Sequence, residues 1–235
     1  MRLLASGQEQ DTETEVDVQT RTAREVKEEK ERTMLDASRA AVELFIDHGT
    51  SSFTIKELAA HAGISERSFY RYFPRKEDVV RPFLAAGSER IAAEVAGRPA
   101  DEPLSTALVH AWSGSWAATH VEQLRALHGI LRESEAFHAQ WLQVITDSEL
   151  LWSRVIAERL GIGPRSYRAA LAGAVVAAAI RLSTQAYDDT GGDEDPTTMF
   201  ATALELVGPS LFTPAESEAE TEAGAEAEAE TETET

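Results

Sequence analysis

Residues 54–78 read TIKELAAHAGISERSFYRYFPRKED and carry the start and stop signals of two short helices. Thr54 and Glu57 have the Thr-x-x-Glu spacing of a capping box, which predicts a helix that begins at Ile55. Gly63 is expected to end this helix, because glycine accepts the left-handed backbone that a helix stop often needs. The residues at helical spacing that mark its buried face are Ile55, Leu58 and Ala62.

A second short helix is predicted directly after this stop. Ser65 is its expected N-cap, since a hydroxyl there accepts a hydrogen bond from a free backbone N–H. Pro74 ends it, because proline disfavours α backbone in the residue before it. Its apolar side is formed by Ile64, Phe69 and Phe73. Its outward side is formed by Ser65, Arg67, Ser68, Tyr70, Arg71 and Tyr72. The small residues Ala59 and Ala62 allow the two helices to approach closely, so the pattern is that of a helix-turn-helix.

The order and spacing of these residues resemble the N-terminal domain of the TetR family of transcriptional regulators. The resemblance extends back to the helix end AAVELFIDHG at residues 40–49, and its most specific part is the run Tyr-x-x-Phe-Pro-x-Lys-Glu at residues 70–77. The matching residues in the core stretch are Thr54, Ile55, Leu58, Ala59, Ala62 to Ser65, Ser68 to Tyr70, Tyr72, Phe73 and Lys76 to Asp78.

The resemblance implies a DNA-binding role for the outward side chains. The expected phosphate contacts are Thr54, Tyr70, Tyr72 and Lys76. The residues expected nearest the base edges are Ser65, Glu66, Arg67 and Ser68. Lys56 and Arg71 complete the predicted DNA-binding set. The chemistry agrees, since an arginine makes bidentate contact with guanine and serines serve several bases. Arg67→Ala is predicted to relax the preference at one base pair, and Lys76→Ala to weaken binding to all sequences similarly.

The acidic balance of the chain does not exclude this partner. The 235 residues carry a formal net charge of −19, but residues 34–83 hold equal numbers of basic and acidic side chains. Within residues 65–76, four basic side chains face the single acid Glu66. Because the screening length is about 8 Å at physiological salt, charge at a contact outweighs distant acid. The balance does predict weak non-specific binding, since few phosphates are neutralised at once.

The remainder of the chain is predicted to be helical. The expected helices cover 33–48, 76–96 with a kink at Pro82, 104–119, 120–132, 135–160, 165–188 and 196–211. No stretch alternates like a strand, so the predicted fold class is all-α, with an N-terminal three-helix helix-turn-helix DNA-binding domain and a C-terminal helical ligand-binding and dimerisation domain. The predicted divisions are a disordered or partly helical arm (1–32), the DNA-binding domain (33–80), the second domain (81–213) and an acidic disordered tail (214–235).

Composition argues against several classes of protein. Cysteine is absent, which excludes disulfides, thiol catalysis and cysteine metal sites. No run is judged long and apolar enough to span a bilayer, and the first ten residues are not a convincing signal peptide, so a cytoplasmic protein without a membrane partner is expected. No nucleophile, phosphate-loop or zinc motif is found, so neither an enzyme nor a cofactor is expected. The acidic tail is expected to be solvated; a competing hypothesis is that it imitates DNA at the basic face.

The second half resembles the ligand-sensing and dimerising region of the same family only in layout. The resemblance implies that the last two helices pair with their copies in a homodimer, with Ala172, Ala179, Leu204 and Leu211 in the interface. An apolar helix of this kind equally suits a buried core. Dimerisation is favoured because a two-fold dimer matches a palindromic operator.

An apolar cavity for a small effector is the interpretation of the tryptophan-rich region. Its predicted lining consists of Trp112, Trp116, Leu124, Leu127, His128, Leu131, Phe137, Trp141 and Ile145. A few histidines among them supply polar points, as in sites for small hydrophobic ligands. The competing interpretation is that the aromatic residues are ordinary core. Histidines and acids are not clustered as in a metal site, so no metal is predicted. A loose similarity after Glu122 suggests an acyl-CoA-like effector.

These observations predict a homodimeric repressor that a small apolar effector releases from a palindromic operator. The alternatives that remain are a regulator without a small-molecule ligand, an activator, and a helical interaction module that has lost DNA binding.

Overall fold

The computed structural model describes the backbone of residues 6–118, 121–191 and 193–213, and the side chains of 24–115, 123, 125–191 and 193–213. The described residues form α-helices and short 3-10 turns and no strand, which confirms the all-α prediction. The helices are α1 (Ser6–His48), α2 (Ile55–His61), α3 (Glu66–Tyr72), α4 (Arg81–Gly97), α5 (Leu104–Ala118), α6 (Val121–Glu133), α7 (Glu135–Leu160), α8 (Tyr167–Asp189) and α9 (Pro196–Val207). The predicted tail lies outside the described residues.

Helix α1 begins much earlier than the predicted core helix. It is helical from Ser6, so the segment expected to be a disordered or partly helical arm continues into the core helix without a break. Charged side chains spaced three or four residues apart pair along it, as Arg24 does with Glu28 and Lys27 with Glu31. Such pairs stabilise an exposed helix slightly. The helix ends at His48, and Gly49 follows in left-handed backbone with φ +65°.

Two compact units make up the fold. The first, unit 1, contains the described residues up to Leu84 together with Ile130–Gln140. The second, unit 2, contains the described residues of Ala85–Gly129 and of the chain from Trp141 onward. Residues 130–140, which close α6 and open α7, therefore belong to unit 1, although their position in the sequence suggested the second domain.

The core of unit 1 joins α1, α2, α3 and the turn before α4. Its fully buried aromatic residues are Phe45, Phe69, Phe73 and Phe137. The buried Ser38 hydroxyl donates to the carbonyl of Val79 and accepts from the amide of Phe83. This one side chain thereby fixes the start of α4 against α1.

The predicted continuous helix over 76–96 is wrong at its beginning. Residues Lys76–Val80 form a 3-10 turn, and α4 starts at Arg81. Pro82 consequently lies in the first turn of α4, where a missing N–H costs no helical hydrogen bond. The expected kink at Pro82 is for this reason absent. The last predicted helix is also shorter than expected, because Gly208 with φ +92° ends α9 and a 3-10 turn follows at Pro209–Leu211.

In unit 2, α7 and α8 cross at very short range. A Cβ added to Gly173 of α8 would lie 2.5 Å from the carbonyl oxygen of Glu149 and 2.7 Å from the amide nitrogen of Ser153, both backbone atoms of α7. Only glycine permits this approach. The residues packed around the crossing include Trp152, Ile156, Ala172 and Val176.

The end of α4 is tied to α7 by one arginine. Arg159 donates to the carbonyl oxygens of Val95, Arg98 and Glu102 at 2.8–3.2 Å. These carbonyls lie at and just beyond a helix end, where they have no intrahelical partner. The side chain of Arg98 pairs with that of Glu102, which lowers the pKa of this carboxyl to about 2.

Helix α8 corrects the expectation that no segment could span a membrane. By length and composition Tyr167–Asp189 qualifies, with a mean hydropathy of 1.4 over its best window. Half of that window is buried inside the protein. This is the burial expected of a core helix, and one such helix is weak evidence for a membrane span.

Candidate nucleic-acid interface

The start of α2 is built as the sequence predicts. The Thr54 hydroxyl accepts from the amide of Glu57 at 3.3 Å, and the Glu57 carboxylate accepts from the amide of Thr54 at 2.8 Å. The hydrogen bonds that the Glu57 carboxylate accepts from the amide and the hydroxyl of Thr54 lower the pKa of this carboxyl below its usual value. Leu58 and Ala59 are buried, whereas Ile55 and Ala62 are only partly buried. The capping box and the glycine stop at Gly63, with φ +66°, are confirmed.

Helix α3 presents its polar side chains outward over an aromatic base. Ser65 caps it by accepting from the amide of Ser68 at 3.1 Å. Phe69 and Phe73 are buried beneath it with ring centroids 5.0 Å apart. The exposed residues at its start and along its outer side are Ser65, Glu66, Arg67, Tyr70 and Arg71. The two remaining predicted contacts, Ser68 and Tyr72, are partly buried.

The basic side chains around α3 differ in their freedom to reach a ligand. Arg67 on α3 and Lys56 on α2 are exposed, and neither has an ionic partner among the described residues. Arg71 donates to the Tyr72 hydroxyl at 3.0 Å and lies over the Tyr72 ring. Two groups are therefore open to solvent, and a third is held along the helix by its neighbour.

Two further basic residues stabilise the turn that follows α3. Arg75 forms an ion pair with Asp78 at 2.9 Å, which raises the pKa of the guanidinium. The ammonium of Lys76 donates to the carbonyl oxygens of Ser51 and Phe53, both at 3.3 Å. Lys76, predicted to contact phosphate, is thus half-buried and engaged with backbone.

The comparisons with known proteins agree with this geometry. Residues 38–83 match the family model of the bacterial regulatory proteins, tetR family. The matched residues run from the last part of α1 through α2 and α3 to the start of α4, so this part of the chain is similar to that family. The HTH-type transcriptional regulator TcmR of Streptomyces glaucescens is 27% identical over 139 residues, which are 56% of this chain and 62% of TcmR. The chain thus spans less than two thirds of that relative's length.

A solved structure is also similar to this chain. It is the crystal structure of a tetR-family transcriptional regulator from Streptomyces coelicolor, which is 20% identical and has a TM-score of 0.44. The match covers 75% of this chain and 77% of that one.

The residues of the predicted effector lining are divided between the two units. Leu131 and Phe137 belong to unit 1, where the Phe137 ring meets Phe45 edge-on at 5.5 Å. The cavity that they were expected to line stays a prediction. The side chains of Trp116 and Leu124 lie outside the described residues.

The remaining predicted lining residues are in unit 2, and most are core. Trp112 is buried, donates its indole N–H to the carbonyl of Pro196 at 3.2 Å and lies against Phe200. Leu127 is buried, and Ile145 packs against the core cluster. Trp141 is buried and lies 5.7 Å from the ring of His128.

In unit 2, Nδ1 of His128 and Nε1 of Trp152 are buried and have no hydrogen-bond partner among the described residues. His128 belongs to the predicted lining, and Trp152 does not. Burial lowers the pKa of His128 to about 4. The signal for Trp152 was its position one turn before Ile156 on a heavily apolar helix, which is also the signal of plain core.

The predicted interface residues need correction. Ala172, Ala179 and Leu204 are buried within the chain's own core, so they are not available to a second copy. Leu211 is partly buried against the same cluster. The large apolar side chains of α8 and α9 that are exposed are Tyr167, Leu171, Leu182, Leu206 and Val207. Helical spacing alone did not predict which faces of α8 and α9 are exposed, and the interface itself stays a prediction.

Proposed function

We propose that this chain is a transcriptional repressor that binds a palindromic DNA operator as a homodimer and leaves it when a small apolar effector binds. The observation that carries the DNA-binding part is the exposed polar side of α3 fixed above buried Phe69 and Phe73. A recognition helix enters the major groove with its N-terminal residues exposed to the bases, while its opposite side packs on the rest of the domain.

The side chains on this face suit DNA by their chemistry. Arg67 is exposed, so its guanidinium is available for bidentate contact with guanine. Tyr70 is 55% exposed, and its hydroxyl is a hydrogen-bond donor to a phosphate oxygen. Thr54 and Lys56 stand at the start of α2, where a helix-turn-helix crosses the DNA backbone. Base reading is accordingly assigned to α3 and backbone positioning to α2.

A second copy of the chain is proposed to cover the exposed apolar side chains of α8 and α9. Five of the nine large exposed apolar residues among the described side chains lie on these two helices. Tyr167, Leu171 and Leu182 point within about 60° of one another around α8, given about 100° per residue. A continuous apolar stripe of this kind marks an interaction surface. Helices paired about a two-fold axis would also present two copies of α3 to a palindrome.

The effector is proposed to bind in unit 2, near His128 or Trp152. Each has a buried polar atom without a protein partner, and such an atom costs about 1–3 kcal/mol when left unsatisfied. An apolar molecule with one or two hydrogen-bonding groups would satisfy it. The suggested acyl-CoA-like effector has no support in the comparisons, so only a small apolar molecule is proposed. The cytoplasm is the compartment where such a regulator would act.

Selection of bound duplexes from a random DNA pool by the purified full chain tests this proposal. The expected product is a palindrome whose half-site centres are about 10 base pairs apart, or a multiple of that spacing. Failure to enrich any sequence at low salt would contradict DNA binding and favour a helical interaction module. Enrichment of a single unrepeated site would contradict the dimer but leave DNA binding in place.

A further inference from the structure

The ammonium of Lys76 lies inside unit 1. Its Nζ atom donates to the carbonyl oxygens of Ser51 and Phe53 and stands 5.6 Å from the centroid of the Phe137 ring. A lysine ammonium has three N–H donors. Two of the three are therefore used by backbone, and an aromatic face covers part of the remaining charge.

The carbonyls that Lys76 holds belong to the loop that leads into α2. Residues 50–53 connect α1 to Thr54, whose side chain begins the capping box. The Phe53 ring stacks on Phe45 at 6.0 Å, and Phe45 in turn meets Phe137. The loop is thus fixed at its carbonyls by Lys76 and at its side chain by the aromatic residues.

Phe137 comes from a distant part of the sequence. It lies in the first turn of α7, and residues 130–140 belong to unit 1. Close by, Arg81 at the start of α4 donates to the amide oxygen of the buried Gln140 at 3.1 Å. The first turns of α7 therefore contact Lys76, which begins the turn before α4, and Arg81, which follows that turn.

We infer that Lys76 acts on DNA indirectly, as a residue that positions the start of α2, and that Phe137 of α7 holds its ammonium in place. The assignment replaces the phosphate contact that the sequence resemblance implied. It rests on the proposed DNA-binding function only for its effect on affinity. The contacts themselves belong to the DNA-free protein, so they are testable without DNA.

A phosphate contact and a positioning role for Lys76 predict different effects when the positive charge of Lys76 is removed. A phosphate contact releases a counterion, so its loss lowers the salt dependence of binding by about 0.9 in the log–log slope. A positioning role works through the shape of unit 1 and leaves that slope unchanged. A phosphate contact also predicts no change in the free protein, whereas a positioning role predicts a looser 50–54 loop.

Hydrogen exchange of the DNA-free protein is the first arm of the test. Lys76→Gln keeps a hydrogen-bonding chain of similar length but removes the ammonium. It is expected to speed exchange of the amides of Phe53 and Thr54 by about tenfold, the equivalent of about 1.4 kcal/mol in local opening. Lys56→Gln is the matched control, because Lys56 is an exposed cation on the neighbouring helix, and it should leave these amides unchanged. Equal exchange in Lys76→Gln and the unaltered chain would overturn the inference.

Affinity for the duplex selected by the unaltered chain is the second arm. Lys76→Gln and Phe137→Leu are each expected to weaken binding by about tenfold with the salt slope unchanged, and the double variant by little more than either, because contacting residues are not additive. Lys56→Gln should lower the slope by about 0.9 for each bound chain. Thermal unfolding of each variant confirms that it is folded at the temperature of the titration.

The outcomes separate the two claims. A slope lowered by about 0.9 for each bound chain in Lys76→Gln, with Phe137→Leu binding normally, would return Lys76 to the phosphate role. Full additivity of the two substitutions would show that Phe137 does not act through Lys76. If no duplex is selected, the proposed function fails, while the exchange experiment still decides whether Lys76 holds the loop.

Discussion

Arg67 is the residue on which sequence-specific recognition depends in this account. It lies one residue into α3, is exposed, and has no ionic partner among the described residues. Arg67→Ala should cost about 1–3 kcal/mol on the preferred duplex and relax the preference at one base pair, because a bidentate guanine contact is lost. Repeating the selection with the variant, followed by anisotropy titrations, measures both effects.

Lys56→Ala is the matched comparison for Arg67. It should weaken all duplexes by a similar factor and lower the salt slope by about 0.9 for each bound chain, as expected when each chain loses one phosphate contact. An Arg67→Ala variant that keeps the original selected sequence and loses affinity uniformly would contradict the base-reading role.

His128 makes stability depend on pH. Its pKa falls to about 4 in the folded chain from an ordinary value of 6.5, so the unfolded chain binds the proton first as pH drops. The stability that the neutral His128 side chain contributes is therefore fully present above pH 6.5, and this contribution is lost as the pH falls toward 4. Between pH 7 and 5 the loss should be at most about 2 kcal/mol. Urea unfolding at both pH values measures it.

The control for this prediction removes the imidazole. His128→Gln should lose about 2 kcal/mol less than the unaltered chain between pH 7 and 5. His61→Gln, at an exposed position on α2, serves as the control for substituting a histidine elsewhere. If His128→Gln shows the same loss as the unaltered chain, another group causes the pH dependence.

For single residues, the sequence predicted the contacts that depend on neighbours a few positions away in the chain. The capping box of Thr54 and Glu57 and the cap at Ser65 depend on neighbours three residues away, and both are present as predicted. The environment of Lys76 depends on residues 23, 25 and 61 positions away. No spacing rule within a helix contains that information.

Among the elements, the crossing of α7 and α8 is the most constrained. Gly173→Ala would place a methyl group 2.5 Å from a backbone oxygen of α7, so one of the helices must move. Forced overpacking of this kind costs about 1–3 kcal/mol or more. The thermal midpoint and the urea midpoint of the variant should both fall.

Gly129→Ala on α6 is the control for this substitution, because the added methyl group has free space around it. A Cβ there meets nothing within 4 Å, so the substitution should stabilise the chain by up to about 1 kcal/mol through helix propensity. A stabilised Gly173→Ala variant would mean that the two helices do not approach as described.

The sequence predicted the helices and their ends better than it predicted how the helices pack on one another. Glycine and proline signals located most helix ends within a few residues, as at Gly49, Gly63 and Gly161. The turn before α4 was missed, because Ser38 of α1 holds that junction through two hydrogen bonds. The placement of 130–140 in unit 1 was also missed, since the periodicity of a helix does not reveal which partner covers it.

For the whole molecule, the exposed stripe of α8 and α9 is where the proposed dimer is tested. Leu182 and Leu206 are 53% and 83% exposed. The double substitution Leu182→Glu and Leu206→Glu should convert the dimer to a monomer, because a charge buried without a partner is costly. Light scattering after size exclusion measures the mass, and circular dichroism confirms that the helices remain.

Val26→Glu is the control for that substitution. Val26 is 65% exposed on α1, outside the proposed interface. This variant should stay dimeric. A double variant that remains dimeric would place the interface elsewhere, and an unaltered chain that is monomeric at micromolar concentration would exclude the dimer.

The most direct test of the account is a titration of the full chain against the selected duplex and against the same duplex with one half-site scrambled. Light scattering of the complexes gives the number of chains bound. The account predicts two chains on the intact duplex and an affinity at least about tenfold weaker, or about 1.4 kcal/mol, for the scrambled duplex. Equal affinity for the two duplexes, or a single chain on the intact one, would contradict it.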